Sequence, residues 1–396
     1  MACTNHDFGN MFSSLKTKGI FLTTYARTAL LLALKAIPVT GKDVLLPAFT
    51  CPVAVVGAVV EAGGNPVFVD INLKNLNFDL NDLEKKITPK SVAIVSHHYF
   101  GTVNTEVTLN HEIAKKWGLI HIQDCSHSLG AQIDGKLIGD QCDMAVYSFT
   151  KYLTCPGGGF LRCNDNGYLL QKINGIYHGS TDGKIGHMLL NMEVFAFFYQ
   201  LFIIRRFFEK PSQSLKSSFL LHRVPWLWYA VSEAINRLSG DQYYHGSFFK
   251  PKKKNRQKQF SEFDLRMTSL QYFFIKLTIN SLGQKIEKKR KIARRLNVIS
   301  HNFIQESKGQ FFVYPTFVIC TRDKQKLLSS AKRVNIYLNQ TWPAEGNYVE
   351  AQYSKNIDFL CKSMLLLNIS EYWSERDVEI VEDFMSKNRS MIIEAP

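Results

Sequence analysis

The chain has 396 residues, of which 45% are hydrophobic and 21% are charged. This length and balance predict a folded protein with about two domains and exclude a mainly disordered or collagen-like chain. The 48 Lys and Arg residues outnumber the 34 Asp and Glu residues, and the net charge of +14 favours an anionic partner such as a phosphorylated substrate, a nucleic acid or an acidic membrane surface.

The first 165 residues alternate strand-like runs with helix-like runs. The predicted strands are short and rich in Val and Ile, which is typical of strands buried on both faces. They cover residues 44–47, 66–71, 91–99, 119–124, 144–149 and 159–163, and the predicted helices cover 27–36, 52–62, 80–86 and 109–117. This alternation predicts an α/β fold with a mainly parallel sheet between helices, and ligands of such sheets bind beyond the carboxyl ends of the strands.

The middle of the chain has a different composition. The stretch MLLNMEVFAFFYQLFIIRRFF is dense in aromatic residues, a second aromatic stretch contains Trp226 and Trp228, and the basic run KPKKKNRQK follows at 250–258. Such a pairing fits an amphipathic element on an acidic membrane face, and it fits equally a buried helical subdomain with a solvated basic loop. The apolar run at 194–204 is too short to span a bilayer.

The C-terminal part of the sequence predicts a smaller α/β domain. Helices are predicted at 265–280 and 285–303, a strand at 311–319 and a closing helix at 374–387. We therefore expect three parts: a large domain at 1–187, an aromatic and basic helical insert at 188–260, and a small domain at 261–396.

The eight cysteines are scattered, and no two have the C-x-x-C spacing of a zinc ribbon or a thioredoxin motif. We therefore expect free thiols in a reducing compartment and no bound metal. The N-terminal MACTNHDFGNMF has no basic region before an apolar run, so no secretory signal is expected. No apolar stretch of about 18 residues predicts a transmembrane helix. These features favour a cytoplasmic protein.

Three features lie where strands end or a helix begins. Asp124 closes the strand in IHIQDCSH, where a carboxylate can hold a buried cation such as a protonated pyridine nitrogen. Lys151 follows the strand in YSFTK, just before a triple glycine at 157–159, and a loop after a strand suits an amine that forms an imine. Arg27 lies at the start of the first helix in TTYARTAL, and a helix N-terminus with an arginine suits a phosphate.

Each of these features also has a purely structural reading. An aspartate at a strand end is commonly a helix cap, a lysine after a strand is commonly a solvated loop charge, and a triple glycine can form a tight turn. Their order and spacing favour one site, because the phosphate-binding helix comes first, Asp124 follows about 100 residues later, and Lys151 comes 27 residues after that. Together they predict a pyridoxal phosphate site of the aspartate-aminotransferase fold type.

The chain resembles the DegT/DnrJ/StrS family of pyridoxal-phosphate-dependent sugar aminotransferases. The stretches that carry the resemblance are ARTALLLAL, VLLPAFTCPVAVVGAVVEAGGNPVFVDIN, ITPKSVAIVSHHYFG, IHIQDCSHSLGA, YSFTKYLTCPGGGFL and, at 265–271, LRMTSLQ. The resemblance is dense over about 24–163 and thin over 164–260. It implies a PLP-dependent transferase fold of type I, with a large, mainly parallel sheet domain and a smaller C-terminal α/β domain, and a homodimer whose sites lie at the subunit interface.

The resemblance also implies roles for individual residues. Lys151 would form the imine with pyridoxal 5'-phosphate and then move the proton between the two imine states. Asp124 would pair with the pyridinium nitrogen, and His127 would contact the 3-oxygen of the cofactor. The implied phosphate contacts are Arg27 and Thr28, largely through backbone N–H groups, and the hydroxyl of Ser148.

The sequence departs from the family pattern at three points. Lys151 lies three positions after Ser148, where the family usually has a step of five. Cys51 stands where many members have an aromatic residue stacked on the cofactor, and Asp264 stands where many have an asparagine that reaches the neighbouring subunit's phosphate. These departures leave open an altered substrate or a weakened enzyme. The presence of Lys151 disfavours the dehydratase branch, in which a histidine replaces this lysine.

The predicted function is transfer of an amino group, from glutamate, to a keto sugar nucleotide in amino-sugar or surface-glycan biosynthesis. Two alternatives remain open: a PLP enzyme acting on a non-sugar ketone, and a catalytically silent relative that associates with a membrane. The insert at 188–260 would place the enzyme at the cytoplasmic membrane face, and no nucleic acid partner is expected, because no helix-turn-helix, RNP or zinc-finger pattern accompanies the basic run. Candidate substrate-pocket residues are Tyr99, Trp342, Tyr353 and Trp373.

Overall fold

The computed structural model of the chain describes residues 19–153, 155–165, 167–180, 265–299, 306–340 and 355–393. The predicted insert at 188–260 and the departure at Asp264 lie outside these residues. Trp342 and Tyr353, two of the candidate pocket residues, also lie outside them.

Fourteen strands occur in three sheets within the described residues. In chain order they are β1 (Ile20–Thr23), β2 (Asp43–Pro47), β3 (Asn65–Val69), β4 (Ser91–His97), β5 (Ile120–Asp124), β6 (Gln132–Ile133), β7 (Lys136–Leu137), β8 (Met144–Ser148), β9 (Gly159–Cys163), β10 (Gln310–Phe311), β11 (Thr316–Thr321), β12 (Asn339–Gln340), β13 (Met364–Asn368) and β14 (Ile392–Ile393).

The described helices cover the faces and ends of these sheets. They are α1 (Ala26–Lys35), α2 (Gly57–Glu61), α3 (Leu80–Lys86), α4 (Val107–Trp117), α5 (Tyr168–Gly179), α6 (Ser269–Thr278), α7 (Leu282–Ile299), α8 (Lys324–Arg333), α9 (Lys355–Ser363) and α10 (Glu375–Lys387). The helix predicted at 52–62 is a turn of π-helix, Pro52–Val56, followed by α2.

The largest sheet has seven strands in the order β1-β9-β8-β5-β4-β2-β3. Only β9 among them runs against both of its neighbours, so the other six strands point the same way. The prediction of a mainly parallel α/β sheet is therefore confirmed, and each of its six predicted strands has a counterpart in this sheet. Strand β1 is not among the predicted strands, because it has only four residues and pairs with β9, about 140 positions away.

Helix α1 fixes the start of the site against this sheet. All six residues from Ala29 to Leu34 are buried, because the helix is apolar on every side and packs against β8, β9, α2 and α5. Because α1 is packed on several sides, these contacts fix its position relative to the sheet. Its N-terminus is therefore held next to the ends of β8 and β9.

The C-terminal residues form a four-stranded antiparallel sheet in the order β12-β13-β11-β14. The single strand predicted at 311–319 is wrong, because β10 ends at Phe311 and β11 begins at Thr316. The interruption has a local cause: Tyr314 has a left-handed backbone with φ of 39°, and Pro315 follows it. β10 joins β6 of the N-terminal part, and one buried cluster extends from Phe49 to Phe317, so the core is continuous between the two sheets.

The described residues contain no membrane-spanning helix and no disulfide bond. No helix among the described residues is both long enough and apolar enough to cross a bilayer. Each of the seven cysteines in the described ranges is a free thiol, in agreement with the expectation from their spacing.

Candidate functional site

Three neighbouring parallel strands end side by side with polar residues. His97 is the last residue of β4, Asp124 the last of β5 and Ser148 the last of β8. His97 and Asp124 are direct partners in the β4–β5 register. A cavity of about 220 Å³ lies at this edge of the sheet, as expected for the carboxyl ends of parallel strands.

The cavity brings together five of the six residues that the sequence analysis selected. Its lining includes Arg27, Asp124, His127, Ser148 and Lys151. Other lining residues are Tyr25, Cys51, Thr150 and the candidate pocket residue Tyr99. The second described candidate, Trp373, packs against the C-terminal core and is absent from this lining.

Asp124 is a largely buried carboxylate, 14% exposed, with two hydrogen-bond donors. One of its oxygens, Oδ2, lies 3.2 Å from Nδ1 of His97, and the other, Oδ1, accepts the Ser126 N–H at 2.9 Å. Burial works against ionisation, but the contacts with His97 and Ser126 outweigh it and hold the pKa of Asp124 below its ordinary value. The cavity therefore contains a fixed negative charge that suits a cationic ring nitrogen.

His127 lines the same cavity as a neutral imidazole. Burial lowers the pKa of His127 to about 3, with a smaller contribution from the charge of Lys151. Its Nδ1 accepts the backbone N–H of Phe100 at 3.4 Å, so the ring proton is on Nε2. Phe100 stacks on this ring at 5.6 Å and has a left-handed backbone with φ of 52°. His127 is therefore a neutral hydrogen-bond donor, the form that an anionic oxygen accepts from.

The N-terminus of α1 opens onto the cavity at Ala26 and Arg27. The first-turn N–H groups of a helix have no partner within the helix, and no acidic residue occurs in the first turn of α1. The Arg27 guanidinium lies 4.1 Å from the centroid of the Tyr25 ring. These groups form a positive end that suits a phosphate.

Thr28 is the one selected residue that is absent from the cavity lining. Its hydroxyl accepts the N–H of Tyr25 at 2.8 Å and donates to the carbonyl of Tyr25 at 2.6 Å. It also lies 3.1 Å from the hydroxyl of Thr24. The Thr28 side chain therefore caps α1, and a contact of this residue with a phosphate is limited to the backbone N–H.

Lys151 lies in the turn that follows β8. The N–H groups of Tyr152 and Leu153 both donate to the carbonyl of Phe149, so the chain turns directly after the strand. Lys151 is an exposed residue of the cavity lining, and the hydroxyls of Ser148 and Thr150 lie 3.0 Å apart beside it. The short spacing between Ser148 and Lys151 therefore still leaves both residues facing the cavity.

The triple glycine lets the backbone pass close to the start of α1. The Gly158 N–H donates to the carbonyl of Thr24 at 2.6 Å, and Gly157 and Gly158 have φ of +103° and +109°. Gln271 fixes this contact from the C-terminal part, since its amide donates to the carbonyls of Thr24 and Pro156 at 3.0 and 3.1 Å. The LRMTSLQ stretch therefore joins the glycine loop to the helix N-terminus.

Replacing Gly159 with alanine is expected to destabilise the protein by about 3 kcal/mol, since a Cβ atom there would lie 2.5 Å from the backbone nitrogen of Ala26 and 2.7 Å from the carbonyl oxygen of Tyr147. Gly175 of α5, which has no atom within 4 Å of such a Cβ, is the control, and its alanine variant is expected to gain about 0.5–1 kcal/mol. The free energy of unfolding in urea measures both. Equal stability of the two variants would contradict the close approach of β9 to α1.

Two further cavity residues, Cys51 and His97, have contacts that the sequence does not indicate. Cys51 accepts the Ala54 N–H at 3.5 Å, and burial raises the pKa of its thiol, so it is a neutral cap of the π-helical turn rather than a stacking group. His97 is absent from the residues selected from the sequence, because the strand predicted at 91–99 ends at Tyr99. The observed β4 ends two residues earlier, at His97, and this end places His97 beside Asp124.

The sequence comparisons agree with this geometry. The model of the DegT/DnrJ/EryC1/StrS aminotransferase family matches residues 6–194. Over these residues, nearly half of the chain, the protein is similar to the aminotransferases of this family. The match covers every residue selected for the site, from Arg27 to Lys151.

Individual relatives match the same part of the chain. A UDP-N-acetyl-3-dehydro-alpha-D-glucosamine 3-aminotransferase from Acidithiobacillus ferrooxidans is 35% identical over 156 residues, which are 38% of this chain and 42% of that protein. The chain therefore aligns with only about two fifths of the length of the curated relatives it matches.

Solved structures extend the likeness in fold to nearly the whole chain. The aminotransferase TlmJ from Streptoalloteichus hindustanus has a TM-score of 0.69 at 15% identity, covering 98% of this chain and 89% of that one. NtdA from Bacillus subtilis, solved with bound cofactor PMP, has a TM-score of 0.66 at 16% identity, covering 96% and 76%. At these identities the likeness establishes a shared α/β fold, in agreement with the predicted fold class.

Proposed function

We propose that this protein is a pyridoxal-phosphate-dependent aminotransferase that transfers an amino group from glutamate to a keto sugar nucleotide. The observation that carries the proposal is the meeting of Lys151, Asp124 and the N-terminus of α1 in one cavity. These three groups come from positions 27, 124 and 151, and they bring an amine, a largely buried carboxylate and a helix N-terminus to one edge of the sheet. Similarity to the aminotransferase family supports the same chemistry.

The residues of the cavity fit pyridoxal phosphate at each of its polar groups. The ionised carboxylate of Asp124 would hold the ring nitrogen, and the neutral His127 would donate to the 3-oxygen. Arg27, the first-turn N–H groups of α1 and the Ser148 hydroxyl would hold the phosphate. Lys151 would hold the aldehyde carbon.

Bound pyridoxal phosphate supplies a carbonyl that takes up the amino group and a protonated ring that accepts electrons from the reacting carbon. The protein supplies the group that transfers protons, Lys151, and the negative charge that faces the ring nitrogen, Asp124. The Lys151 amine would act as the base and acid that removes the proton from the donor's α-carbon and, in the second half of the reaction, supplies it to the acceptor. Asp124 keeps the ring nitrogen protonated throughout. The donor amine becomes a ketone while the acceptor ketone becomes an amine, so no outside oxidant or reductant is needed.

Three observations support a keto sugar nucleotide as the acceptor: the cavity volume, the net charge of the chain and the name of a similar protein. A cavity of about 220 Å³ is smaller than the ~300–1,000 Å³ of common small-molecule sites, so a nucleotide-linked substrate would extend beyond it. The net charge of +14 favours a diphosphate-bearing substrate. A curated relative is named for amino transfer to a UDP-linked sugar.

We also propose a homodimeric, cytoplasmic enzyme organised as a large domain at 1–187, an insert at 188–260 and a small domain at 261–396. The exposed position of Lys151 in the single chain is consistent with a second subunit covering the cavity. Contact of the insert with a membrane face stays a prediction from its aromatic and basic sequence.

The function is tested by incubating the purified full chain with pyridoxal phosphate, glutamate and a panel of keto acceptors. Formation of 2-oxoglutarate only with keto sugar nucleotides is the expected result. Turnover confined to non-sugar ketones would replace the acceptor and keep the enzyme class. A bound cofactor without turnover on any acceptor, or no bound cofactor, would contradict the proposal and favour the catalytically silent relative.

A further inference from the structure

His97 is a buried histidine in direct contact with the carboxylate of the proposed cofactor site. It is the last residue of β4, it is 7% exposed, and the β4–β5 register sets it opposite Asp124. Its Nδ1 lies 3.2 Å from Oδ2 of Asp124, and it lines the same cavity. Two adjacent parallel strands thus hold the pair in place through their backbone ladder, so the contact is independent of loop conformation.

The protons of this contact follow from its neighbours. Asp124 is ionised and can only accept, so Nδ1 of His97 carries a hydrogen and donates. Nε2 lies 3.0 Å from the hydroxyl of Thr50, which can donate to a neutral imidazole or accept from a charged one. Thr50, His97 and Asp124 thus form a continuous chain of hydrogen bonds that ends at the cavity.

The remaining contacts restrict the imidazole to this arrangement. The Tyr99 ring stacks on it at 5.2 Å with an interplanar angle of 29°, and the Tyr99 hydroxyl donates to the carbonyl of Phe49. The other oxygen of Asp124 is held by the Ser126 N–H. The ionisable groups around the pair are the buried His98 and Tyr99 and the partly buried Cys51, with His127 and Lys151 also lining the cavity.

We propose that His97 is a positioning residue that holds the Asp124 carboxylate in one orientation and in its ionised form, so that the proton shared with the cofactor's ring nitrogen stays on the nitrogen. This inference rests on the proposed function. A carboxylate that already accepts two hydrogen bonds is a weaker base, and a weaker base leaves the proton on its partner. The electron-accepting state of the ring would then depend on a residue that does not touch the reacting atoms.

The neighbouring His98 shows what a structural histidine looks like at this edge. Its Nδ1 accepts the Asn104 N–H at 3.0 Å, its Nε2 lies 3.1 Å from the Gln123 side chain, and burial lowers its pKa to about 4. Its Nδ1 therefore binds the loop after β4, and its Nε2 binds a side chain of the neighbouring strand β5. His97 instead directs one nitrogen at the carboxylate.

Three substitutions at position 97 distinguish the contact of Nδ1 with Asp124 from the contact of Nε2 with Thr50. In His97→Asn the amide nitrogen occupies the place of Nδ1, so the donation to Asp124 is kept and the contact with Thr50 is lost. In His97→Gln the amide reaches the place of Nε2, so the contact with Thr50 is kept and the donation to Asp124 is lost. His97→Leu keeps the bulk and loses both. A role in packing alone would not distinguish the asparagine variant from the glutamine variant.

The test uses the full chain loaded with pyridoxal phosphate labelled with ¹⁵N at the ring nitrogen. The ¹⁵N resonance reports whether that nitrogen is protonated, and the Kd of the cofactor is measured alongside. We expect a protonated nitrogen in the wild type and in His97→Asn. We expect a shift toward the unprotonated resonance and about tenfold weaker cofactor binding in His97→Gln and His97→Leu. In the cofactor-free chain, ¹³C NMR of Asp124 is expected to show a higher carboxyl pKa in the same two variants.

Each outcome has one meaning. An unchanged ¹⁵N resonance and Kd in His97→Gln and His97→Leu would overturn the inference and leave the proposed function standing. An asparagine variant that loses as much as the leucine variant would also overturn it, because the donation to Asp124 would then be irrelevant. A wild type that binds no pyridoxal phosphate would overturn both the proposed function and this inference.

Discussion

Replacing Lys151 with alanine is expected to lower kcat for amino transfer by about 10,000-fold. No other described lysine lines the cavity, so the variant lacks both the amine that bonds the cofactor and the base that moves the proton. Formation of 2-oxoglutarate measures the loss. The visible absorption band of the bound cofactor is expected to disappear in the same variant, because the band depends on the bond to this amine.

The alanine variant is expected to fold normally, because Lys151 is exposed and its removal leaves no cavity in the core. The change in the free energy of unfolding should stay within about 0.5 kcal/mol. Lys115, an exposed lysine on α4, is the matched control, and Lys115→Ala should retain both turnover and the absorption band. Turnover by Lys151→Ala at more than about one hundredth of the wild-type rate would contradict the assignment of this lysine as the proton-transfer group.

The site residues that sequence reasoning selects are those whose position follows from local pattern. Asp124 ends one predicted strand and Lys151 follows another, so the strand ends are visible in the sequence itself. Arg27 is visible because the apolar helix behind it begins abruptly. The carboxyl ends of parallel strands converge at one edge of a sheet, and this rule predicts that Asp124 and Lys151 lie close together. Arg27 is added to them because a helix N-terminus suits a phosphate.

The residues that sequence reasoning misses depend on pairing between distant segments. The His97–Asp124 contact requires the register between β4 and β5, and a shift of one residue would turn His97 to the other face of the sheet. Gln271 reaches the carbonyl of Thr24 across 247 positions, so nothing near either residue indicates the contact. Such links are set by the packing of the two sheets.

In the fold, too, elements with a local sequence signal are predicted correctly, and elements that depend on distant contacts are not. The strands at 44–47 and 159–163 carry a strong apolar signal and agree with β2 and β9 to within one residue. The strand at 311–319 fails because its apolar pattern is continuous while its backbone is broken at Tyr314, where Gly101 packs against the backbone and its carbonyl accepts the Val313 N–H. Hydrophobic pattern alone carries no information about a tertiary contact of this kind.

Replacing Asp124 with asparagine is expected to lower kcat by about 1,000-fold while the cofactor still binds, with about tenfold weaker affinity. The amide keeps the shape of the carboxylate and removes its charge, so the ring nitrogen loses the partner that keeps it protonated. Steady-state kinetics and a cofactor titration separate the two effects. Wild-type kcat in this variant would show that the ring nitrogen does not need the charge, and the assignment of Asp124 would fail.

The same variant has a distinct effect on stability at low pH. The hydrogen bonds from His97 and Ser126 hold the pKa of Asp124 below its value in the unfolded chain, so the ionised carboxylate stabilises the folded state above the unfolded pKa of about 4. That contribution is lost as the pH falls below about 4 through the folded value. The wild type should therefore lose more stability than Asp124→Asn between pH 5 and pH 3, as measured by urea unfolding of the cofactor-free chain. Parallel curves for the two proteins would mean that Asp124 has the same proton affinity folded and unfolded, and the contacts with His97 and Ser126 would then give its ionised form no added stability.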